Sequence, residues 1–180
     1  GVDPGQWIFL EAYAQGEDQY LSQRVDPGRS AAMARVLTAT MDMADATRAD
    51  MDLIDLYSCF PCAVHAACDI LGLPTDSSQP LTVTGGLPFF GGPGNNYVTH
   101  SIATMVGRLR NNYSLHALAE VAVRLRGQPV RALLTANGGM LSKHAAAVLT
   151  SDPARAGAFN WDNDCVLAVD SADIPVRPMI

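Results

Sequence analysis

The stretch Leu81-Thr82-Val83-Thr84-Gly85-Gly86-Leu87-Pro88-Phe89-Phe90-Gly91-Gly92-Pro93-Gly94-Asn95-Asn96-Tyr97 decides how this chain reads. It opens on four residues of strand character, crosses a glycine- and proline-rich loop, and enters helical sequence. Glycines at 85, 86, 91, 92 and 94, interleaved with two prolines, build a stiff loop whose backbone another group can approach closely. A helix follows, so its unpartnered first N–H groups point toward that loop. The pattern is not the phosphate-binding GxxxxGK[ST], and no suitable GxGxxG is present. On composition alone a tight structural turn accounts for the loop equally well.

Upstream, Leu53-Ile54-Asp55-Leu56-Tyr57 reads as a strand that ends in Ser58-Cys59-Phe60. Pro61 suits the first turn of a helix from about Cys62 to Leu71, and Gly72 stops it. That helix is rich in Ala and Cys nearly all round, which predicts burial. Earlier still, Ser30 is placed to cap a helix running to about Ala46. Met33, Val36, Leu37, Thr40 and Ala44 fall on one face of it, and Asp50 to Asp52 breaks it. Trp7-Ile8-Phe9-Leu10 is a short apolar strand, followed by the polar stretch Gln15 to Arg24 and the turn Asp26-Pro27-Gly28.

Downstream, helical sequence runs to about Arg126. Val130 to Thr135 is a strand, Ala136-Asn137-Gly138-Gly139 a turn, and Ala145 to Thr150 another strand. Strands alternating with helices predict an α/β layered sheet over residues 1–150. Residues 151–180 differ in kind. Asp152 to Asn163 is loop-like and Cys165 to Val169 a strand candidate, so this part is expected to be a tail or the start of a further β segment.

A tandem repeat sits in the helical region. Residues 95–110 and 111–126 both read NNYxxHxxAxxxxRLR. A shift of 16 residues turns an α-helix by about 160°. One unbroken helix would put the two apolar stripes on nearly opposite faces, so a break is expected near Asn111-Asn112.

The 180 residues are 48% hydrophobic and 17% charged, a balance that fits a buried core and excludes disorder. The net charge of −6, with no Lys/Arg cluster, argues against nucleic acid. No apolar run has membrane-span length, and the first residues lack a basic-then-apolar leader pattern. A cytoplasmic location is the default expectation. Three of the four cysteines crowd into residues 59–68, a poor disulfide framework, so reduced thiols are expected.

Cys59 and Cys62 form a CxxC at a strand-to-helix corner, where a helix N-terminus would depress the first thiol's pKa and permit redox chemistry. The rest of a thioredoxin pattern is absent, and buried structural thiols are the plainer reading. Zinc would need a second ligand pair, and His65 is the sole near candidate, so no metal is expected. Tyr97 and His100 share a helical face beside the glycine loop. His144 follows Asn137-Gly138-Gly139 next to Lys143, where the two could hold an anion or be ordinary solvated residues.

Taken in order, three segments resemble the thiolase superfamily. TGGLPFFGGPGNNY resembles the GGxxxxGHPxGATG loop. LYSCFP resembles the NEAF or HDCF corner. LLTANGGMLSKHAAAVL resembles the strand, glycine turn and strand that carry the second active-site cysteine. The likeness spans about residues 5 to 150. It is nearest to divergent acetyl-CoA acetyltransferase-like proteins, close to the sterol-carrier-protein thiolases. It implies the C-terminal half of that fold, a five-stranded mixed sheet layered with helices, and so a module incomplete without the N-terminal half that carries the nucleophilic cysteine.

The resemblance also implies departures. Tyr57 stands where the family has Asn or His, Gly92 stands for the activating histidine, and Thr135 or Ala136 for the acid–base cysteine. Catalytic roles then fall to Tyr57, Tyr97, His100 or His144. Cys59, Phe60, Gly91, Gly92, Asn137 and Gly138 become the substrate-contacting positions. The implied activity is acyl transfer or carbon–carbon cleavage on an acyl-CoA thioester. The other reading is a non-catalytic acyl-CoA-binding or assembly subunit. CoA enters as part of the substrate and no cofactor is implied. Expected partners are acyl-CoA or CoA, the N-terminal half, and further subunits in a homo- or hetero-oligomer, including a small partner protein as in thiolase-like aldolases.

Overall fold

A computed structural model describes residues 7–76, 79–110, 129–139, 141–155 and 160–168, the last segment as backbone only. Strands β1 (Phe9–Glu17), β2 (Leu53–Asp55), β3 (Arg131–Gly138), β4 (Lys143–Thr150) and β5 (Asn160–Ala168) form one mixed sheet in the order β2-β3-β4-β1-β5. The pairs β2–β3 and β1–β5 are parallel, and β3–β4 and β1–β4 antiparallel. Helices α1 (Ala31–Met43) and α2 (Pro61–Leu71) cover one face and α4 (Tyr97–Arg110) the other. α3 (Leu87–Phe90) is a single turn inside the glycine loop.

The larger core lies under α1. Met33, Val36, Leu37 and Met41 pack against Ala12, Ala14, Leu133, Ala146 and Val148. Strand period two puts these sheet residues on one face, while Ala132 and Leu134 turn to Val83 and Met105 on the other. Ser30 caps α1 as its sequence predicts, its hydroxyl accepting from Met33 N–H at 3.0 Å. Gly72 closes α2 in the left-handed conformation at φ 64°.

Several boundaries differ from the sequence reading, each for a nameable reason. β1 runs on to Glu17, through the stretch read as polar connection, because alternation inside Ala12-Tyr13-Ala14-Gln15-Gly16 buries only one side. A bulge between Leu10 and Ala12 accompanies a buried Glu11, whose carboxylate pairs with Arg131 and Arg155. Helix α1 ends at Met43, three residues early. Helix α2 is amphipathic rather than buried all round: Ala63, Ala67 and Cys68 face inward, Cys62 and His65 outward.

Leu81–Thr84 forms no ladder strand. It does lie beside β2, with Leu56 N–H donating to Leu81 C=O at 2.8 Å, but Val83 N–H is taken by the Asp55 carboxylate at 2.8 Å. A side chain has captured the donor a ladder needs. For a similar reason β2 stops at Asp55, since Tyr57 N–H goes to the Thr135 hydroxyl at 2.9 Å. Asn137 and Gly138 belong to β3, and the turn falls after them, at Gly139 (φ 60°) and Leu141 (φ 57°). β5 begins at Asn160, inside the segment read as loop, and joins the sheet beside β1. α4 carries the first copy of the repeat from Tyr97 on. The second copy, the break expected near Asn111, and most of the expected tail lie outside the described residues.

Candidate active-site cleft

Tyr57 follows β2 directly, and its backbone is pinned to β3 by the Thr135 hydroxyl. That hydroxyl also donates to Asp55 C=O at 3.3 Å, so Thr135, at the position matched to the family's cysteine, is spent on holding the corner. The Tyr57 ring packs edge-on against Tyr97, with centroids 5.5 Å apart. Tyr97 is fully buried and its hydroxyl sits 2.6 Å from Thr84 Oγ1. It braces Tyr57 and anchors the start of the glycine loop. The Tyr57 hydroxyl itself makes no hydrogen bond to another described residue, and burial pushes its pKa above the usual phenol value, with Cys59 and Tyr97 adding to the rise.

The corner and the glycine loop are stitched at Ser58. Its hydroxyl accepts from Leu87 N–H at 3.1 Å. Gly86 makes this approach possible: it has φ 90°, and a Cβ there would stand 2.8 Å from Ser58 Oγ.

Between β1, β3, β4 and Tyr57 lies a cleft of about 650 Å³. Tyr57, Ala136, Asn137, Gly138, Gly139, Lys143 and His144 line it, with Val98 of α4 at one side. A much smaller crevice opens behind Tyr57 between α1, α2 and the sheet, lined by Met33, Ala63 and Ala67 together with Thr135, Asn137 and His144.

His144 pairs across the hairpin with Asn137 and is 4% exposed. Its Nδ1 lies 2.9 Å from Asn137 Oδ1, and its Nε2 lies 3.0 Å from Ser30 Oγ and 3.1 Å from Leu141 C=O. Burial pulls its pKa down to about 4, so the ring is neutral at physiological pH. Lys143 and His144 do not form an anion site together. Strand alternation sends Lys143 to solvent, where it pairs with Glu17 at 3.4 Å.

Of the residues singled out in the sequence, Tyr57, Asn137, Gly138 and His144 all border one cleft, with Tyr97 directly behind, but the Asn137 and His144 side chains turn to the α1 face and meet Ser30 there. The others stand apart from its lining. His100 is half-buried, its ring 5.1 Å from that of Phe90. Gly91 and Gly92 are exposed at the far side of α3, and Phe60 is 64% exposed at the head of α2. Cys59 is half-buried and its thiol pKa is pushed up by burial, opposite to the depression a redox pair needs. Among the described residues no three His, Cys, Asp or Glu side chains group as a metal site.

Sequence reasoning missed the residues behind His144. Ser30 is recognisable only as a helix cap, and Asp18 and Arg24 as a polar connection. Ser30 donates to Asp18 Oδ2 at 2.7 Å, and Arg24 lies 3.6 Å from the same oxygen while donating to Leu141 C=O. No local signal joins positions more than a hundred residues apart.

No family model matches the chain, and no curated protein does. A solved structure does: a monomeric SCP2-thiolase like protein type 1 from Mycobacterium smegmatis, 37% identical with a TM-score of 0.72. The match covers 85% of this chain but 31% of that one, so the chain spans about a third of the protein it resembles. The chain has a thiolase-like α/β fold of the SCP2 type. The relative is described as monomeric, whereas the resemblance led us to expect an oligomer. Among the described residues no helix is long and apolar enough to cross a membrane.

Proposed function

We propose that this chain is one module, the C-terminal half, of a thiolase-like protein acting on acyl-CoA thioesters in the cytoplasm, and that it serves carbon–carbon cleavage rather than Claisen acyl transfer. The observation that carries this is Tyr57: a phenol at the cleft, with no intramolecular hydrogen-bond partner among the described residues, where the other acid–base positions are occupied by groups that cannot serve. Gly92 has no side chain, Ala136 no proton, and Thr135 is committed to the corner. Acyl transfer needs a nucleophile, an activating base and an oxyanion hole. Retro-aldol cleavage of a β-hydroxyacyl thioester asks less of this half.

In that reaction the β-hydroxyl gives up its proton, the bond between Cα and Cβ breaks, and a carbonyl product leaves. The electron pair passes to the thioester as an enolate, and Cα then takes a proton. Burial favours the neutral phenol, so Tyr57 is the acid that protonates Cα. The base that accepts the hydroxyl proton comes from outside this chain's candidates. An N-terminal half, further subunits or a small partner protein would supply it.

The test is cleavage of a β-hydroxyacyl-CoA by the complete protein, followed as release of the carbonyl product. Tyr57→Phe should lower turnover by roughly 10²- to 10⁴-fold while leaving thioester binding within about threefold. Unchanged turnover would contradict the assignment. A second reading, a non-catalytic acyl-CoA-binding subunit, is favoured by His144 being fully engaged by its neighbours. Tight thioester binding with no turnover in the complete protein would support it.

A further inference from the structure

Val83 lies beside β2 without joining it, and side chains take both of its main-chain groups. Its N–H donates to Asp55 Oδ1 at 2.8 Å, and its C=O accepts from the Arg108 guanidinium at 2.9 Å. Asp55 ends β2, and Arg108 stands in the last turn of α4. Strand alternation sends Ile54 to the α1 core and Leu53 to the α4 core, so Asp55 also turns to α4. The helix answers with one stripe: Tyr97, Ser101 and Met105 are fully buried, and Arg108 follows three residues later.

This arrangement is a costly way to hold a segment. Asp55 Oδ2, Ser101 Oγ and Arg108 Nε are shut from solvent and have no hydrogen-bond partner among the described residues. Unpaired buried polar atoms destabilise a fold. Desolvation pushes the Asp55 carboxyl pKa up, against the opposing pull of the Val83 N–H, the Ser101 hydroxyl and the Arg108 charge. A backbone ladder along β2 with apolar side chains would hold Leu81–Thr84 without that penalty. A ladder would also keep the segment on the β2 edge. Held by side chains instead, the residue after Val83 reaches α4: Thr84 Oγ1 sits 2.6 Å from the Tyr97 hydroxyl, and it also accepts from Gly86 N–H at 3.1 Å. Tyr97 in turn backs the Tyr57 ring edge-on at 5.5 Å. The tandem repeat keeps Tyr97 and Arg108, as Tyr113 and Arg124 at the same separation, whereas Ser101 is matched by Ala117. The tyrosine and the arginine are the shared part of the pattern.

We propose that Asp55 and Arg108 are positioning residues for Tyr57: by holding Val83 between them they fix Thr84, through it Tyr97, and so the place of the Tyr57 phenol at the cleft. Neither side chain lines the cleft itself. The proposal rests on the reading of Tyr57 as the proton donor in thioester cleavage.

The first test is a ¹⁹F spectrum of the full chain labelled with meta-fluorotyrosine, in which Tyr57→Phe identifies the Tyr57 signal by its loss. Arg108→Met keeps much of the apolar stem and removes the bond to Val83 C=O. It should shift or broaden the Tyr57 signal, and Arg108→Lys, which restores a charged donor, should return it toward the wild type. Leu109→Ala is the control. It weakens the same core cluster without touching a polar group of Val83, so it should lower the urea midpoint and leave the Tyr57 signal in place. Thr84→Val leaves both clamp residues intact and cuts the link to Tyr97. It should move the Tyr57 signal as Arg108→Met does, and it serves where Arg108→Met does not fold.

The second test is turnover of a β-hydroxyacyl-CoA by the complete protein. Arg108→Met or Thr84→Val should lower kcat by roughly 10- to 100-fold, with KM within about threefold of the wild type. A Tyr57 signal unmoved in Thr84→Val, or moved as far by Leu109→Ala as by Arg108→Met, overturns the proposal and leaves the role of Tyr57 standing. So does an unchanged kcat in these variants where Tyr57→Phe abolishes turnover. Unchanged turnover in Tyr57→Phe overturns the cleavage reading and this proposal with it.

Discussion

Gly86 and His144 show how single positions set the geometry of the cleft. At Gly86 the backbone is in a region L-residues avoid, and an added methyl would collide with the Ser58 hydroxyl. Gly86→Ala should therefore cost about 1–3 kcal/mol, read as a lowered urea midpoint with unchanged slope, and should loosen Leu87 from Ser58. His144 makes stability depend on pH. Its folded-state pKa is about 4 against 6.5 for the free ring, so in between only the unfolded chain binds the proton. Stability is then full above the unfolded value and is lost as pH falls toward the folded one. Between about pH 7.5 and pH 5 the loss should be about 2 kcal/mol, and His144→Gln should remove that part of the slope. Tyr57 belongs to the same scale. As a proton donor with a raised pKa, it should keep cleavage active into the alkaline range beyond an ordinary phenol, and an ultraviolet titration comparing wild type with Tyr57→Phe checks this.

Among the elements, α1 is the one whose start does two jobs. Ser30 caps it and also carries the link from Asp18 to His144. Ser30→Ala should cost about 1–2 kcal/mol from the cap alone, with Ser30→Thr recovering most of it in thermal unfolding. The cap was legible in the sequence because capping is local, and so was the stop at Gly72. The corner was harder. Leu81–Thr84 has strand composition, yet it is no strand, because Asp55, twenty-eight positions upstream of Val83, takes its N–H. β5 was hidden for the opposite reason: Asn160-Trp161-Asp162-Asn163-Asp164 looks like loop, while parallel pairing with β1 uses only main-chain groups. Periodicity reports which side of an element is apolar. It does not report which distant side chain will take a backbone donor.

For the molecule as a whole, motif order carried more than any motif. The glycine loop, the corner and the NGG hairpin converge because β2 and β3 are parallel neighbours and because Ser58 and Tyr97 fasten the loop to the corner. Tyr57, Asn137, Gly138 and His144 were recoverable from that order; Asp18, Ser30 and Arg24 were not, since only the closed sheet brings β1's end to the β3–β4 turn. The same order failed to select among histidines, because His100 and His144 look alike in sequence and only burial separates them. The central claim is that this cleft receives a CoA thioester. It is tested most directly by amide chemical-shift mapping of the labelled chain during titration with acetyl-CoA. The account predicts saturable shifts concentrated at Tyr57, Asn137, Gly138 and Gly139, and the absence of shifts, or saturable shifts confined to surfaces away from these residues, would contradict it.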